Sequence, residues 1–158
     1  MTPNHFAIAL SCILAIAAFG AAEAADTSEP APRPAKPAKP AAADLTQARA
    51  LIAKKDWPGA IAELQRITRA QPDYADAHNL LGYSYRNAGQ IDKAFDEYAI
   101  ALRLDPKHKG AHEYVGVAYL IAKQPEKAKE HLAALKSICG ESCEEYQDLA
   151  KAIADYKP

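Results

Sequence analysis

The segment Cys139-Gly140-Glu141-Ser142-Cys143 carries the most individual chemistry in this sequence. Two neighbouring thiols can close a disulfide in an oxidising compartment, or serve as soft ligands for copper, or cycle as a redox pair. Gly140 breaks the helix between them and frees the backbone for the geometry a bond needs. Two thiols alone seldom make a selective metal site, and His131 stands two helical turns away, so a structural disulfide is expected. His108 and His112 stand four residues apart, a spacing at which one helix can present two imidazoles to a metal. No HExxH pattern surrounds them and no third ligand is near in sequence, so no metal site is expected. No nucleophile–base pair, G-x-S-x-G elbow or phosphate loop occurs. Carboxylates such as Glu126, Glu130 and Glu145 read as solvated helix faces. The chain is expected to be no enzyme, with no catalytic residue and no cofactor.

The elements that must position these residues fall in three unlike segments of a 158-residue chain. Residues Phe6 to Ala22 form an apolar run followed by the A-x-A site Ala22-Glu23-Ala24, the order of a secretory signal peptide over 1–24. A retained inner-membrane anchor through residues 6–22 is the alternative, since the run is slightly shorter than a full span. Residues 25–43 hold five of the eleven prolines, between Pro30 and Pro40, interleaved with Ala and Lys. That composition cannot bury a face and is expected to act as an extended, disordered linker. From Asp44 onward proline thins out and apolar residues recur at helical spacing, so 44–158 is the folded part. The export signal implies an exported, periplasmic protein, with no membrane insertion once the signal is cleaved. Nineteen Lys+Arg against twenty Asp+Glu leave a formal charge of -1, which makes no general electrostatic case for nucleic acid.

The folded part repeats itself at 34 residues. Ala43, Ala77 and Ala111 share a column, as do Ala60, Ala94 and Ala128, and Ala50, Ser84 and Ala118. Gly82 pairs with Gly116, Tyr85 with Tyr119, His78 with His112, and Pro72 with Pro106. Each unit divides into two helices. Tyr74–Asn87 is expected to end at Gly89-Gln90, and its partner to run from Ile91 to Leu104, halted by Asp105-Pro106. Pro58 and Pro125 suit the first turns of their helices. Small residues mark close helix approaches, where glycine otherwise costs about 1 kcal/mol relative to alanine. Tyr85, Phe95, Tyr98 and Tyr119 read as packing knobs. Ser142-Cys143-Glu144-Glu145 offers a capping box for a last helix carrying Tyr146, Leu149, Ala150 and Ile153.

On these residues the chain resembles the tetratricopeptide repeat (TPR) family. The second unit supplies His78, Leu81, Gly82, Tyr85, Ala94, Tyr98, Ala101 and Pro106 at the family's offsets. The third supplies Gly116, Tyr119 and Ala128, with Val115, Leu132 and Leu135 as stand-ins. The first is degenerate: Ala60 and Pro72 match, Ala48, Leu51 and Leu64 are tolerable, and Asp44 and Gln47 depart. The resemblance implies an all-α fold: a right-handed α-solenoid of three helix pairs (about 41–74, 75–108 and 109–142) plus a capping helix at 142–156, seven helices in all. It also implies a scaffold or adaptor that binds a protein or peptide on its concave face. The family's groove offsets fall on Leu45, Arg49 and Ile52, then Asp76, Asn79, Tyr83 and Arg86, then Glu113, Val117 and Leu120. The carboxylate clamp of chaperone-binding relatives is missing, since Leu80 and Tyr83 stand where two asparagines would be wanted. The alternative function is a small periplasmic metal- or thiol-handling accessory using Cys139 and Cys143.

Overall fold

The computed structural model describes residues 44–158. The expected signal segment, the proline-rich linker and Ala43 lie outside the described residues. Among the described residues there are seven helices and no strand: α1 Thr46–Ala53, α2 Trp57–Ala70, α3 Ala75–Asn87, α4 Ile91–Leu104, α5 Lys109–Ile121, α6 Pro125–Cys139 and α7 Glu144–Asp155. Consecutive helices pack as antiparallel pairs, and α5 also touches α3 and α7, so the first helices of successive units share one face. None of these helices is long and apolar enough to cross a membrane.

The period is visible in the helix starts. Trp57, Ile91 and Pro125 open the second helices of the three units at equal intervals. Asp56 accepts a hydrogen bond from the Gly59 amide at 3.0 Å, and Pro58 fills a position in the first turn that needs no N–H. The turn before each second helix is also repeated. Lys55, Gly89 and Lys123 take positive φ angles of 58°, 76° and 58°. The next amide in each case donates back across the turn, from Asp56 to Leu51 O at 3.0 Å, Gln90 to Tyr85 O at 2.9 Å and Gln124 to Tyr119 O at 2.8 Å. That is a left-handed helix stop, which glycine enters freely and lysine enters at a conformational cost.

The small-residue columns lie at helix crossings. Ala60, Ala94 and Ala128 are fully buried, as are Ala77 and Ala111. At Gly82 an added Cβ would come within 2.7 Å of the Tyr98 ring, so α4 lies directly on α3 there. At Gly116 the same place is taken by Leu149 of α7, 2.6 Å from where a Cβ would be, rather than by Leu132 of α6. The third column divides: Ser84 and Ala118 are buried, but Ala50 is exposed. Among the described residues no helix precedes α1 to meet Ala50.

Two ends differ from expectation. The first helix opens only at Thr46, whose amide donates to Asp44 Oδ1 at 2.8 Å, so the first unit's opening helix is short. At the other end the capping box does not form. Cys143, not Ser142, precedes the first helical residue, and it makes no side-chain cap. Glu145 turns instead to Lys109, with the ammonium 2.9 Å away.

One repeat column changes its chemistry between units. In unit two His78 bonds Pro72 O at 3.1 Å through Nε2 and Glu97 at 2.6 Å through Nδ1. In unit three His112 likewise bonds Pro106 O at 3.1 Å, but its Nδ1 meets Nδ1 of His131 at 2.9 Å. Two imidazoles that share one hydrogen bond cannot both be protonated there. Burial first, then His112, lowers the His131 pKa to about 4, from an ordinary 6.5. The unfolded chain therefore binds a proton that the folded chain refuses between these two values. The His131 contribution to stability should be complete above about pH 6.5 and decline as pH falls toward about 4, while the raised Glu113 carboxyl acts in the opposite sense over much of the same range. His131→Glu should remove this dependence by restoring the His78–Glu97 arrangement. Thermal melts of both proteins across that range check it, and equal slopes would refute the assignment.

Candidate interaction face

The face formed by α1, α3, α5 and α7 carries a row of aromatic rings. Trp57 lies edge-on to Tyr83, with centroids 6.1 Å apart, and Tyr83 meets Tyr114 at 4.9 Å. The Arg86 guanidinium stands 4.9 Å from the Tyr83 ring centre and 5.5 Å from that of Tyr114. It also donates to the Tyr114 carbonyl at 3.2 Å. Helical spacing explains the cluster. Tyr83 and Arg86 are three residues apart and share one face of α3, and the next unit's α5 brings Tyr114 beside them. A cation held between two rings and a carbonyl is a stiff, half-buried arrangement, of the residue types that anchor protein contacts.

Beside the rings lies a carboxylate pocket of about 220 Å³, bounded by Gly110, Glu113, Tyr114, Glu144, Glu145 and Asp148. Burial foremost, and then the nearby Asp148 charge, pushes the Glu113 carboxyl up to about 7, only partly opposed by Arg86. Burial, with Glu113 adding to it, likewise raises the Tyr114 phenol.

The expected groove residues separate on this face. Tyr83, Arg86 and Glu113 come together, half-buried, and Val117 is half-buried further along α5. Arg49 is exposed on α1, and Asp76 is exposed but bonded to His108 Nε2 at 3.0 Å. Asn79 and Leu120 are buried, at 5% and 7% exposure, and offer a partner almost nothing. Leu45 is buried too, while Ile52 is half-buried. Trp57 and Tyr114 complete the aromatic row, and Glu144 and Asp148 the pocket, although the groove offsets pass over all four. Tyr114 follows a groove position directly. Trp57 belongs to a second helix, and only its place at the helix start lets it reach Tyr83.

The histidine pair has separate partners. His108 Nδ1 accepts from the Ala111 amide at 3.2 Å and so caps α5, while His112 turns toward His131. Phe95 packs on Tyr119 at a tilt of 36° with centroids 4.7 Å apart, and both border a cavity of about 330 Å³ with Leu102, Val115 and His131. The Cys139 and Cys143 sulfurs lie 2.07 Å apart and their Cα atoms 5.9 Å apart. Glu145 brings a carboxylate oxygen within 4.8 Å of both.

An all-helical stack of antiparallel pairs, with repeated turns and small-residue crossings, defines a helical-repeat protein. A tetratricopeptide repeat family model matches residues 45–109 and again 82–142, and the chain belongs to that family. Solved structures share the fold. The TPR2B domain of yeast Sti1, in a complex with pHsp70, superposes with a TM-score of 0.63 at 19% identity, covering 70% of this chain and 93% of that one. The Arabidopsis OM64 TPR domain gives 0.63 at 13% identity over 70% of this chain and 91% of its own. MamA from Desulfovibrio magneticus RS-1 gives 0.56 at 25% identity, over 58% of this chain and 51% of that chain. No curated protein sequence matches.

Proposed function

We propose that this protein is an exported, periplasmic scaffold that holds a protein or peptide partner on the face of α1, α3, α5 and α7. The observation that carries this reading is the Tyr83–Tyr114 pair with Arg86 against both rings. Preorganised aromatic and arginine side chains lose little conformational freedom on binding, which is why they dominate contact energies. Complex formation by the yeast Sti1 domain supports the same use of the fold. The apolar run at 6–22 supports export, and export supports a lasting Cys139–Cys143 disulfide.

Tyr83→Ala combined with Arg86→Ala should lower partner capture from envelope extracts at least about tenfold. Helicity by circular dichroism should stay near wild type, because neither side chain belongs to the buried core. Undiminished capture by the double variant would remove this face as the binding site. A second reading rests on the Cys139, Cys143 and Glu145 cluster, a ligand set for a thiophilic ion when the cysteines are reduced. Metal analysis of reduced protein decides it, with stoichiometric copper or zinc as the supporting result.

A further inference from the structure

We propose that the pocket between α5 and α7, walled by Glu113, Tyr114, Glu144 and Asp148, takes a lysine or arginine side chain of the partner protein. This rests on the partner-binding reading above and adds the partner's chemistry to it. The pocket is short of positive charge. Lys109 is committed to Glu145 at 2.9 Å, and among the described residues Glu113, Glu144 and Asp148 have no ion pair. Glu144 and Glu145 sit in the first turn of α7, where the helix dipole favours acidic side chains. Glu113 has no such excuse: it lies past the first turn of α5, half-buried, with no hydrogen-bond partner among the described residues. Arg86 does not fill the need, being held by the Tyr114 carbonyl and two rings.

Two unsatisfied polar atoms lie in the neighbouring core of α3 and α4. Asn79 Oδ1 is buried with no donor, and the Asn79 amide abuts Gly110 of the pocket wall, 3.2 Å from where a Cβ would stand. The Tyr98 hydroxyl is also buried and unpartnered, with Arg86, Tyr114, Tyr83 and Glu113 as its charged and polar neighbours. Three carboxylates without an ion pair, Glu113 half-buried and Glu144 and Asp148 exposed, stand with an aromatic wall and are together complementary to N–H donors carrying positive charge. About 220 Å³ is room for one long side chain and not for a folded element.

The test is selection from a random-peptide display library on the full chain, followed by affinity measurement of the enriched peptides. Enriched peptides should share a Lys or Arg, and should lose at least about tenfold in affinity on Glu113→Gln with Asp148→Asn. Binding to wild type should strengthen from about pH 6 to about pH 8, as Glu113 becomes charged among Glu144, Glu145, Asp148, Lys109 and Arg86. Single Glu113→Gln should flatten that profile. Peptides without a basic residue, or binding unchanged by the acidic variants, overturn the cation subsite. If Tyr83→Ala with Arg86→Ala still weakens those peptides, the interaction face stands and only the subsite falls. If neither pair of substitutions matters, both readings fall.

Discussion

Tyr98→Ala should destabilise the protein by about 3–5 kcal/mol, whereas Tyr98→Phe should leave stability unchanged or raise it by up to about 1 kcal/mol. Tyr98 has no exposed surface and crosses α3 at Gly82, where the absence of a Cβ lets the ring lie against backbone. Truncation would leave a ring-sized hole between α3 and α4. Neither Gly82 nor Ala94 could fill it, because both are small and both belong to helices fixed by their turns. The hydroxyl is a different matter. It is buried without a hydrogen-bond partner, and burial pushes the phenol well above its usual range. Removing it therefore removes a desolvated group and no bond. Urea denaturation of the three proteins separates ring from hydroxyl. A loss above about 1 kcal/mol for Tyr98→Phe would mean that the hydroxyl is satisfied in solution.

The repeat was legible because its signals are local and recur. Ala94, Gly82 and Pro106 each have a counterpart one period away, and each has a steric role that a single helix pair already imposes. The α3 and α4 ends follow from Gly89 and Asp105-Pro106 for the same reason. What the sequence did not disclose depends on neighbours beyond one unit. Ala50 sits in a core column yet is exposed, since no described helix precedes α1 to cover it. Asn79 and Leu120 hold groove offsets yet are buried, because adjacent units close over them. The acidic pocket required α7 beside α5, and Glu144 and Asp148 have no repeat partners that would have marked them. Lys55 and Lys123 conceal the turn that Gly89 advertises, since lysine is no turn-forming residue and takes the left-handed conformation only at a cost that the surrounding fold imposes.

Leu149→Ala should cost about 2–5 kcal/mol in the stability of the C-terminal end while leaving α3 and α4 almost as protected as before. Leu149 is fully buried and is the only α7 residue of that kind. Its methyl groups stand over Gly116, in the place an α4 aromatic takes over Gly82, so one side chain fastens α7 to α5. The Lys109–Glu145 pair spans the same two helices, but it is partly solvent-accessible and adds less than Leu149 does. The substitution would leave a cavity lined by α5 and α7, and among the described residues no helix follows α7 to press it closed. In a repeat stack each unit is stabilised mainly by its neighbours, so the loss should stay at that end. Amide hydrogen exchange resolves this helix by helix, with α7 and the end of α6 exchanging faster and α3 and α4 unchanged. Cys139→Ser with Cys143→Ser should produce a milder version of the same pattern, about 2 kcal/mol at most for so short a loop. Uniform loss of protection across all seven helices would show instead that the stack unfolds as one unit, and that Leu149 closes the whole core rather than its end.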